Sequence, residues 1–400
     1  MIKVLGIFKA PVPYTSDLFK LFSQNPDIEL TVVFCIRTTN GLQYMDRTAG
    51  KMLDWGTNVL EGFEYKFLER RIRAGGDPDY KVINLNISKV IDFREYDVIL
   101  MGTSYWSITT WIAIRQAKKV GIPIITRATV QTTKKRNKLL LFLKKLVVGS
   151  YCKRVDAGVY ECQAQKNYLM EYGMQEEGLF YSPCAVNNEV FQNLASSFNK
   201  SEVRKDLSIP EDRVVICSTG QLISIKRPWD LIKAVEKLNV LGYPVELYLI
   251  GDGVLRKEIE SYIDNNQLSS VHLTGTLSQT FVAKYLAICD IYAMASEIDA
   301  SPKALNEAMN FALPIVVSTG VSTVPDLLEE GKNGYSFVTG DIEGLVNGIK
   351  RIIDNNCGKE MGQESYKIIQ ENGYDRVISG WMDAIDYVLS QHQLGNKDAG

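Results

Sequence analysis

The chain has 400 residues, with 45 Lys and Arg against 47 Asp and Glu, a formal net charge of −2, two histidines and seven cysteines. This length predicts two or three domains, each able to bury a core, and the near-neutral balance argues against a dedicated nucleic-acid binder. His272 and His392 lie far apart, the second in a polar tail, so a Ser-His-Asp hydrolase, a histidine zinc site or a histidine relay has little to draw on.

Residues 2–8 (IKVLGIF) read as a short buried strand ended by Pro11 and Pro13, residues 16–23 as a helix, and residues 28–35 as the next strand. Strand, helix and strand in close succession form a βαβ unit, which implies a parallel sheet with helices on its faces. The pattern recurs as strand 97–101, helix 111–120 and strand 122–126, with Gly121 as the helix stop. In the second half, strands 213–217, 244–250, 271–274, 291–295 and 314–318 alternate with helices 228–238, 255–265 and 281–288. Amphipathic helices over 359–370 and 374–389 follow.

Residues 187–211 are polar and contain a Pro210 turn, which reads as a connection between the halves. The expected organisation is a Rossmann-like domain over 1–190, a linker over 191–211 and a second Rossmann-like domain over 212–370. A C-terminal helix and polar tail over 371–400 return to the first domain. Two doubly wound α/β domains place their ligands at the carboxyl ends of strands, and if those ends face each other the ligands meet in an interdomain cleft.

The cysteines show no CxxC pair and no metal-type spacing, and several stand in apolar runs (VVFCI, VVICS) as small buried hydrophobes. A reduced compartment is the simpler reading. Lys9 and Pro11 interrupt the N-terminus before a signal-peptide core could form, and no run of 18 apolar residues occurs. The expected location is cytoplasmic, or peripheral at the inner face of the membrane.

The stretch 296–318, SEIDASPKALNEAMNFALPIVVS, carries the chemistry. Ser301 is a favoured N-cap and Pro302 a favoured first residue, so a helix is predicted over 303–311. Its first amides, at Lys303, Ala304 and Leu305, and the positive end of its dipole form an anion site at a strand end. Asp299 stands just outside this terminus and Glu307 more than a turn inside, spaced to grip two parts of a polyhydroxylated ligand. On residues alone, Asp299 could equally complement the dipole and nothing more.

The pattern of Asp299, seven residues and Glu307, followed by Ala-Met and an LPIVVS strand, resembles the signature of family 4 retaining glycosyltransferases of the bacterial surface-polysaccharide type. Other pieces fit in order: TGQLISIKRP at 219–228 resembles the donor-phosphate loop, and LIGDG at 249–253 the strand-end turn. LLEEGKNGYSF at 327–337, with Gly340 and Asp341, resembles the segment closing the nucleotide site.

The resemblance implies a GT-B fold, two Rossmann-like doubly wound domains facing an interdomain cleft, and transfer from a nucleotide-diphosphate-sugar to a glycan or lipid-linked glycan. It implies acceptor binding by the domain over 1–190, nucleotide-sugar donor binding by the domain over 212–370, and Asp299, Glu307 and Lys226 as the catalytic group. Glu307 would accept from the ribose hydroxyls, Asp299 and the backbone of Ala300, Ser301 and Pro302 would face the sugar, and Lys226 would pair with the diphosphate. Gly220, Gln221, Gly251 and Asp252 would complete the donor site with Lys303, Ala304 and Leu305. No cofactor and no metal are implied.

Three departures stand out: Asp299 where the family usually has Glu, Gln221 where it usually has a cation, and a loop at 9–15 without its usual glycines. With no histidine in the N-terminal half, the resemblance points to front-face transfer, in which the leaving phosphate takes the acceptor proton.

On the acceptor side the candidates are Tyr14, Tyr105, Trp106 and Arg127, the last directly after a strand; Trp111 reads as core. Residues 134–154, KKRNKLLLFLKKLVVGSYCKR, read either as an interfacial helix on an anionic membrane leaflet or as a domain helix with its apolar face in the core and its lysines solvated. Alternative functions are a GT-B nucleotide-sugar epimerase or hydrolase, and a non-catalytic nucleotide-sugar binder. A dinucleotide oxidoreductase is weak, since no GxGxxG follows a strand.

Overall fold

The computed structural model describes residues 1–46, 51–54, 58–69, 78–128 and 138–397. The chain divides into two compact units, residues 1–183 with 375–400, and residues 184–374.

In the first unit, β1 (Ile2–Phe8) leads through α1 (Pro13–Ser23) to β2 (Ile28–Phe34). Pro13 opens α1, where a missing N–H is harmless. A short antiparallel pair, β3 (Gln43–Asp46) and β4 (Lys51–Asp54), precedes β5 (Glu64–Phe67), α2 (Ile87–Val90), β6 (Val98–Gly102) and α3 (Ile108–Val120). Gly121 closes α3 in the left-handed region, at φ 75°. Then come β7 (Ile124–Arg127), α4 (Lys138–Cys152), β8 (Ala157–Tyr160), α5 (Gln163–Glu171) and β9 (Leu179–Tyr181). The seven-stranded sheet runs β5-β2-β1-β6-β7-β8-β9, and every neighbouring pair is parallel. Near-continuous apolar strands such as β1 and β6 are buried between helical layers, as parallel sheets require.

The second unit opens with α6 (Asn188–Ser196) and α7 (Lys200–Asp206), followed by β10 (Val214–Thr219), α8 (Pro228–Val240), β11 (Val245–Ile250), α9 (Arg256–Asn266), β12 (Val271–Gly275) and α10 (Gln279–Ile288). It continues with β13 (Ile291–Met294), α11 (Lys303–Asn310), β14 (Ile315–Ser318), α12 (Val324–Leu327), β15 (Gly334–Phe337), α13 (Ile342–Asp354) and α14 (Gly358–Gln370). Its sheet is wholly parallel in the order β12-β11-β10-β13-β14-β15. Numbered within the unit this is 3-2-1-4-5-6, and the order reverses between β10 and β13. Loops leaving the carboxyl ends of those two strands diverge, which opens the crevice where such sheets bind ligands. The last helix, α15 (Tyr374–Lys397), belongs with the first unit, where Val377 O accepts from Ser182 Oγ at 3.2 Å.

The linker expected at 191–211 is corrected. Most of it is helical, in α6 and α7, and belongs to the second unit. Asn187 and Asn199 cap these helices, accepting from Val190 N and from Ser201 and Glu202 N. Phe191, at 1% exposure, and Val203 are buried. The polarity that suggested a linker comes from cap residues and solvent faces of short amphipathic helices.

Candidate active site

The carboxyl end of β10 leads into Gly220 and Gln221, both exposed, then a turn of 3₁₀ helix over Ser224–Lys226. Arg227 follows with φ 51° and ψ 49°, a left-handed conformation that costs a non-glycine residue about 1–2 kcal/mol. Its guanidinium is held by Asp230 in the first turn of α8, at 2.6 and 3.1 Å. Such strain, kept in place by a buried carboxylate, is typical of functional loops.

The GDG turn supports this loop from the next strand. Leu222 N donates to Asp252 O at 3.0 Å, and Leu255 N to Leu222 O at 3.0 Å. A Cβ on Gly251 would stand 1.9 Å from Gly220 O, and one on Gly253 2.4 Å from Leu222 O. Glycine at both positions is therefore what lets the two backbones touch. Asp252 itself is exposed; Gly253 N donates to its Oδ1 at 2.7 Å, so it shapes the turn.

The loop leaving β13 lies alongside. Glu297 N donates to Ile225 O at 2.7 Å, stitching it to the 224–226 turn. Asp299 is fixed through its backbone: its N donates to Gly320 O at 3.1 Å, and its O accepts from Ser322 N at 2.8 Å. Its carboxylate takes Lys226 Nζ on Oδ2 at 2.5 Å and Ser301 N on Oδ1 at 3.3 Å. Lys226 and Asp299, expected to face the diphosphate and the sugar, are thus an ion pair, with side chains 30% and 14% exposed.

Helix α11 begins at Lys303, with Pro302 in the N-cap position and no side-chain cap. The expectation that Ser301 caps this helix is corrected: its Oγ is buried with no hydrogen-bond partner among the described residues. Pro302 lacks an N–H and Asp299 holds the preceding turn. Lys303 and Ala304 are half-buried, whereas Leu305 is fully buried and its N donates to Pro302 O at 3.2 Å, so the expectation of a donor-binding amide at Leu305 is corrected. Lys303 Nζ donates to Ala185 O at 2.8 Å and Asn306 Nδ2 to Cys184 O at 2.5 Å, anchoring the helix to the start of the unit. Glu307 is half-buried, and its charge acts on the buried Tyr292 hydroxyl. Burial first, then the Glu307 carboxylate, pushes that phenol up. Tyr292 Oη also shares a hydrogen bond with Thr219 Oγ1 at 2.8 Å, at the carboxyl end of β10.

The second unit therefore brings Gly220, Gln221, Lys226, Gly251, Asp252, Asp299, Ala300, Ser301, Pro302, Glu307 and the start of α11 to one end of one sheet. Sequence reading missed the Arg227–Asp230 clamp and the Thr219–Tyr292 pair. Their signal is weak, because both look like ordinary strand and helix residues. Asp341 serves as the N-cap of α13, accepting from Gly344 N at 3.0 Å.

In the first unit Arg127, at the end of β7, pairs with Glu161, at the end of β8; Nε donates to Oε1 at 3.0 Å. Gln165 Nε2 donates to the other oxygen at 3.3 Å. Glu161 was not anticipated, although an acid closing the apolar run AGVY was the available signal. Tyr105 and Tyr168 share a hydroxyl hydrogen bond of 3.0 Å, and Trp106 is 44% exposed. Trp111 Nε1 donates to Tyr105 O at 2.9 Å and its ring packs on Tyr151. Tyr14 is the second residue of α1, and its side chain lies outside the described residues.

His272 lies near the amino end of β12, 2.5 Å from Glu246 and stacked on Tyr248, away from the carboxyl ends of the strands. No disulfide joins any of the seven cysteines. Among the described residues, no group of three His, Cys, Asp or Glu side chains is placed to hold a metal ion.

Residues 199–376 match the family model of glycosyl transferases group 1. Over 214 residues the chain is 24% identical to N-acetyl-alpha-D-glucosaminyl L-malate synthase of Bacillus anthracis, covering 53% of this chain and 55% of that protein. Over 344 residues it is 21% identical to UDP-Gal:alpha-D-GlcNAc-diphosphoundecaprenol alpha-1,3-galactosyltransferase of Escherichia coli, covering 84% of each. For several curated relatives, the Bacillus anthracis protein among them, the match spans about half their length. The crystal structure of Anabaena Alr3699/HepE in complex with UDP is 17% identical, with a TM-score of 0.74 over 96% of this chain and 100% of that one. The same Anabaena protein has been solved with UDP-glucose. This likeness establishes the fold, which is GT-B.

Proposed function

We propose that the protein is a retaining glycosyltransferase that moves a sugar from a nucleotide-diphosphate-sugar to a glycan or lipid-linked glycan, in cell-surface polysaccharide or glycolipid biosynthesis. The observation that carries this reading is the meeting of Lys226, Asp299 and the start of α11 at the switch point of the second sheet, with Glu307 one turn further along. The group 1 match over the same residues and the UDP-glucose complex of the Anabaena protein support it.

In this reading the ribose hydroxyls donate to Glu307, while Lys226 and the amides of Lys303 and Ala304 receive the diphosphate. As the bond from the anomeric carbon to the diphosphate oxygen breaks, negative charge grows on that oxygen. A cation beside it then stabilises the transition state more than the bound donor. The acceptor oxygen forms its bond on the same face of the sugar and passes its proton to the departing phosphate oxygen. That route asks for no protein histidine. The acceptor is received by strand-end residues of the first unit, Tyr105, Trp106 and Arg127 with Tyr14. The protein works in the cytoplasm or at the inner face of a membrane reached through 134–154.

The test is a screen of UDP-, GDP- and dTDP-sugars for nucleotide release with and without glycan acceptors, followed by NMR of the new anomeric centre. Retention in an acceptor-dependent product is expected. Inversion, or release that no acceptor accelerates, would overturn the reading.

A further inference from the structure

Helix α4 is turned against its own composition. It buries Lys144, at 5% exposure, together with Val148, Tyr151 and Cys152. On its outer side Phe142 is 59% exposed, Leu143 49% and Leu146 55%. The interfacial and core readings of 134–154 diverge here. Leu143 and Leu146 are not in the core, and Lys144 is not in water.

The reason lies in what the lysine meets. Lys144 Nζ sits 4.8 Å from the Tyr168 ring centre and 5.8 Å from that of Tyr172, and a desolvated cation over aromatic faces is worth up to about 2 kcal/mol. With that face fixed inward, residues 142, 143 and 146 stand on the opposite side of a 3.6-residue helix. Each forgoes the ~1.5–3 kcal/mol that full burial of such a side chain brings. An apolar cluster of this kind on an otherwise charged surface marks an interaction site.

The rim says what the partner is. Lys138 and Lys145 on the helix and Lys153 and Arg154 just beyond it are exposed, and the sequence from 138 to 154 contains no Asp or Glu. The partner must combine an apolar interior with negative charge. A second copy would set cations against cations, which disfavours it. Among the described residues no helix is long and apolar enough to cross a membrane, and α4 spans only about 22 Å at 1.5 Å per residue. It would therefore lie in the interface plane.

We infer that α4 is a membrane-docking helix that inserts Phe142, Leu143 and Leu146 into an anionic leaflet while Lys138, Lys145, Lys153 and Arg154 contact the lipid headgroups. This specifies the peripheral contact of the proposed function, yet it holds whatever reaction the second unit performs. Lys134, Lys135 and Arg136 lie outside the described residues and the inference does not need them.

The experiment is sedimentation of the full chain, without nucleotide, on vesicles of phosphatidylcholine alone or with 30 mol% phosphatidylglycerol (roughly the charge of an anionic leaflet). Wild type is expected to bind the anionic vesicles and bind the neutral ones far more weakly. Phe142→Ser/Leu146→Ser should lose at least about tenfold in affinity with an unchanged melting temperature, since both side chains face solvent. Phe142→Trp should be quenched by lipids brominated in the acyl chain. Binding lost on charge reversal of Lys138 and Lys145 but kept in the double serine variant would overturn the insertion. So would a dimer in sedimentation velocity that the serine variant abolishes. Donor binding is read separately, so failure here leaves the transferase proposal standing.

Discussion

Replacing Lys226 with alanine separates a structural ion pair from a ligand-binding one. Lys226 is 30% exposed and its partner Asp299 14%, with Ser301 N still donating to that carboxylate, so losing the lysine should cost folding about 1 kcal/mol. That is a melting shift of roughly 2–4 °C for a domain of this size. Against a nucleoside diphosphate the same lysine would make a charge-assisted contact worth about 1.5–3 kcal/mol, or roughly a ten- to hundredfold change in affinity.

The structure adds a second effect. Without Lys226, the Asp299 carboxylate stays fixed by its backbone bonds to Gly320 and Ser322 and would repel an incoming phosphate. Lys226→Ala/Asp299→Asn should therefore bind UDP better than Lys226→Ala alone, a coupling beyond the ~0.5 kcal/mol seen between independent sites. Calorimetric titration of UDP or the preferred diphosphate into the four proteins measures it, with melting curves as the folding control. Equal affinity in wild type and Lys226→Ala, or strict additivity in the cycle, would refute the idea that this pair sits in the diphosphate path.

Other predictions concern the frame around the site. Gly251→Ala places a methyl 1.9 Å from Gly220 O and should destabilise the second unit by about 1–3 kcal/mol, read as a lower melting temperature and weaker nucleotide binding; an unchanged melt would mean the loop moves aside freely. Arg127→Ala removes the guanidinium from a Glu161 side chain only 10% exposed and should cost about 1–3 kcal/mol in the first unit, measured by chemical denaturation, while UDP affinity stays unchanged. Burial pushes the Cys35 thiol up to about 12 and Cys152 up to about 11, and only Cys357 is half-exposed. A thiol reagent at pH 8 should therefore modify one cysteine in the native protein and all seven after denaturation; several fast native thiols would contradict the packing.

Strands β1, β2, β6 and β7 of the first sheet and β10 to β14 of the second were legible because parallel strands are near-continuous apolar runs; β5 (EYKF), β8 (AGVY), β9 (LFY) and β15 (GYSF) were not, being short segments interrupted or flanked by Gly, Ser or charged residues. The cluster of Lys226, Asp299 and Glu307 was legible as motif and order, but not their pairing. That Lys226 holds Asp299 depends on the strand order reversing between β10 and β13, which no local pattern encodes. Two helices at 188–206 passed for a linker because their caps, Asn187 and Asn199, and their solvent faces outnumber the buried Phe191 and Val203. Ser301 passed for a cap because the sequence supplies the residue type, whereas the turn beneath it is held by Asp299. Helix α4 was undecidable from its residues. Its orientation depends on Tyr168 and Tyr172, more than twenty residues further along the chain from Lys144.

The central claim is that Glu307 and the start of α11 hold a nucleoside diphosphate. Titration of UDP, GDP and dTDP into wild type and Glu307→Ala, by calorimetry, tests it most directly. One of the three should bind wild type, and the variant, with an unchanged melt, should bind it roughly ten- to hundredfold more weakly for the loss of charge-assisted ribose hydrogen bonds. Wild-type affinity in Glu307→Ala, or no binding of any nucleotide to the wild-type protein, would contradict it.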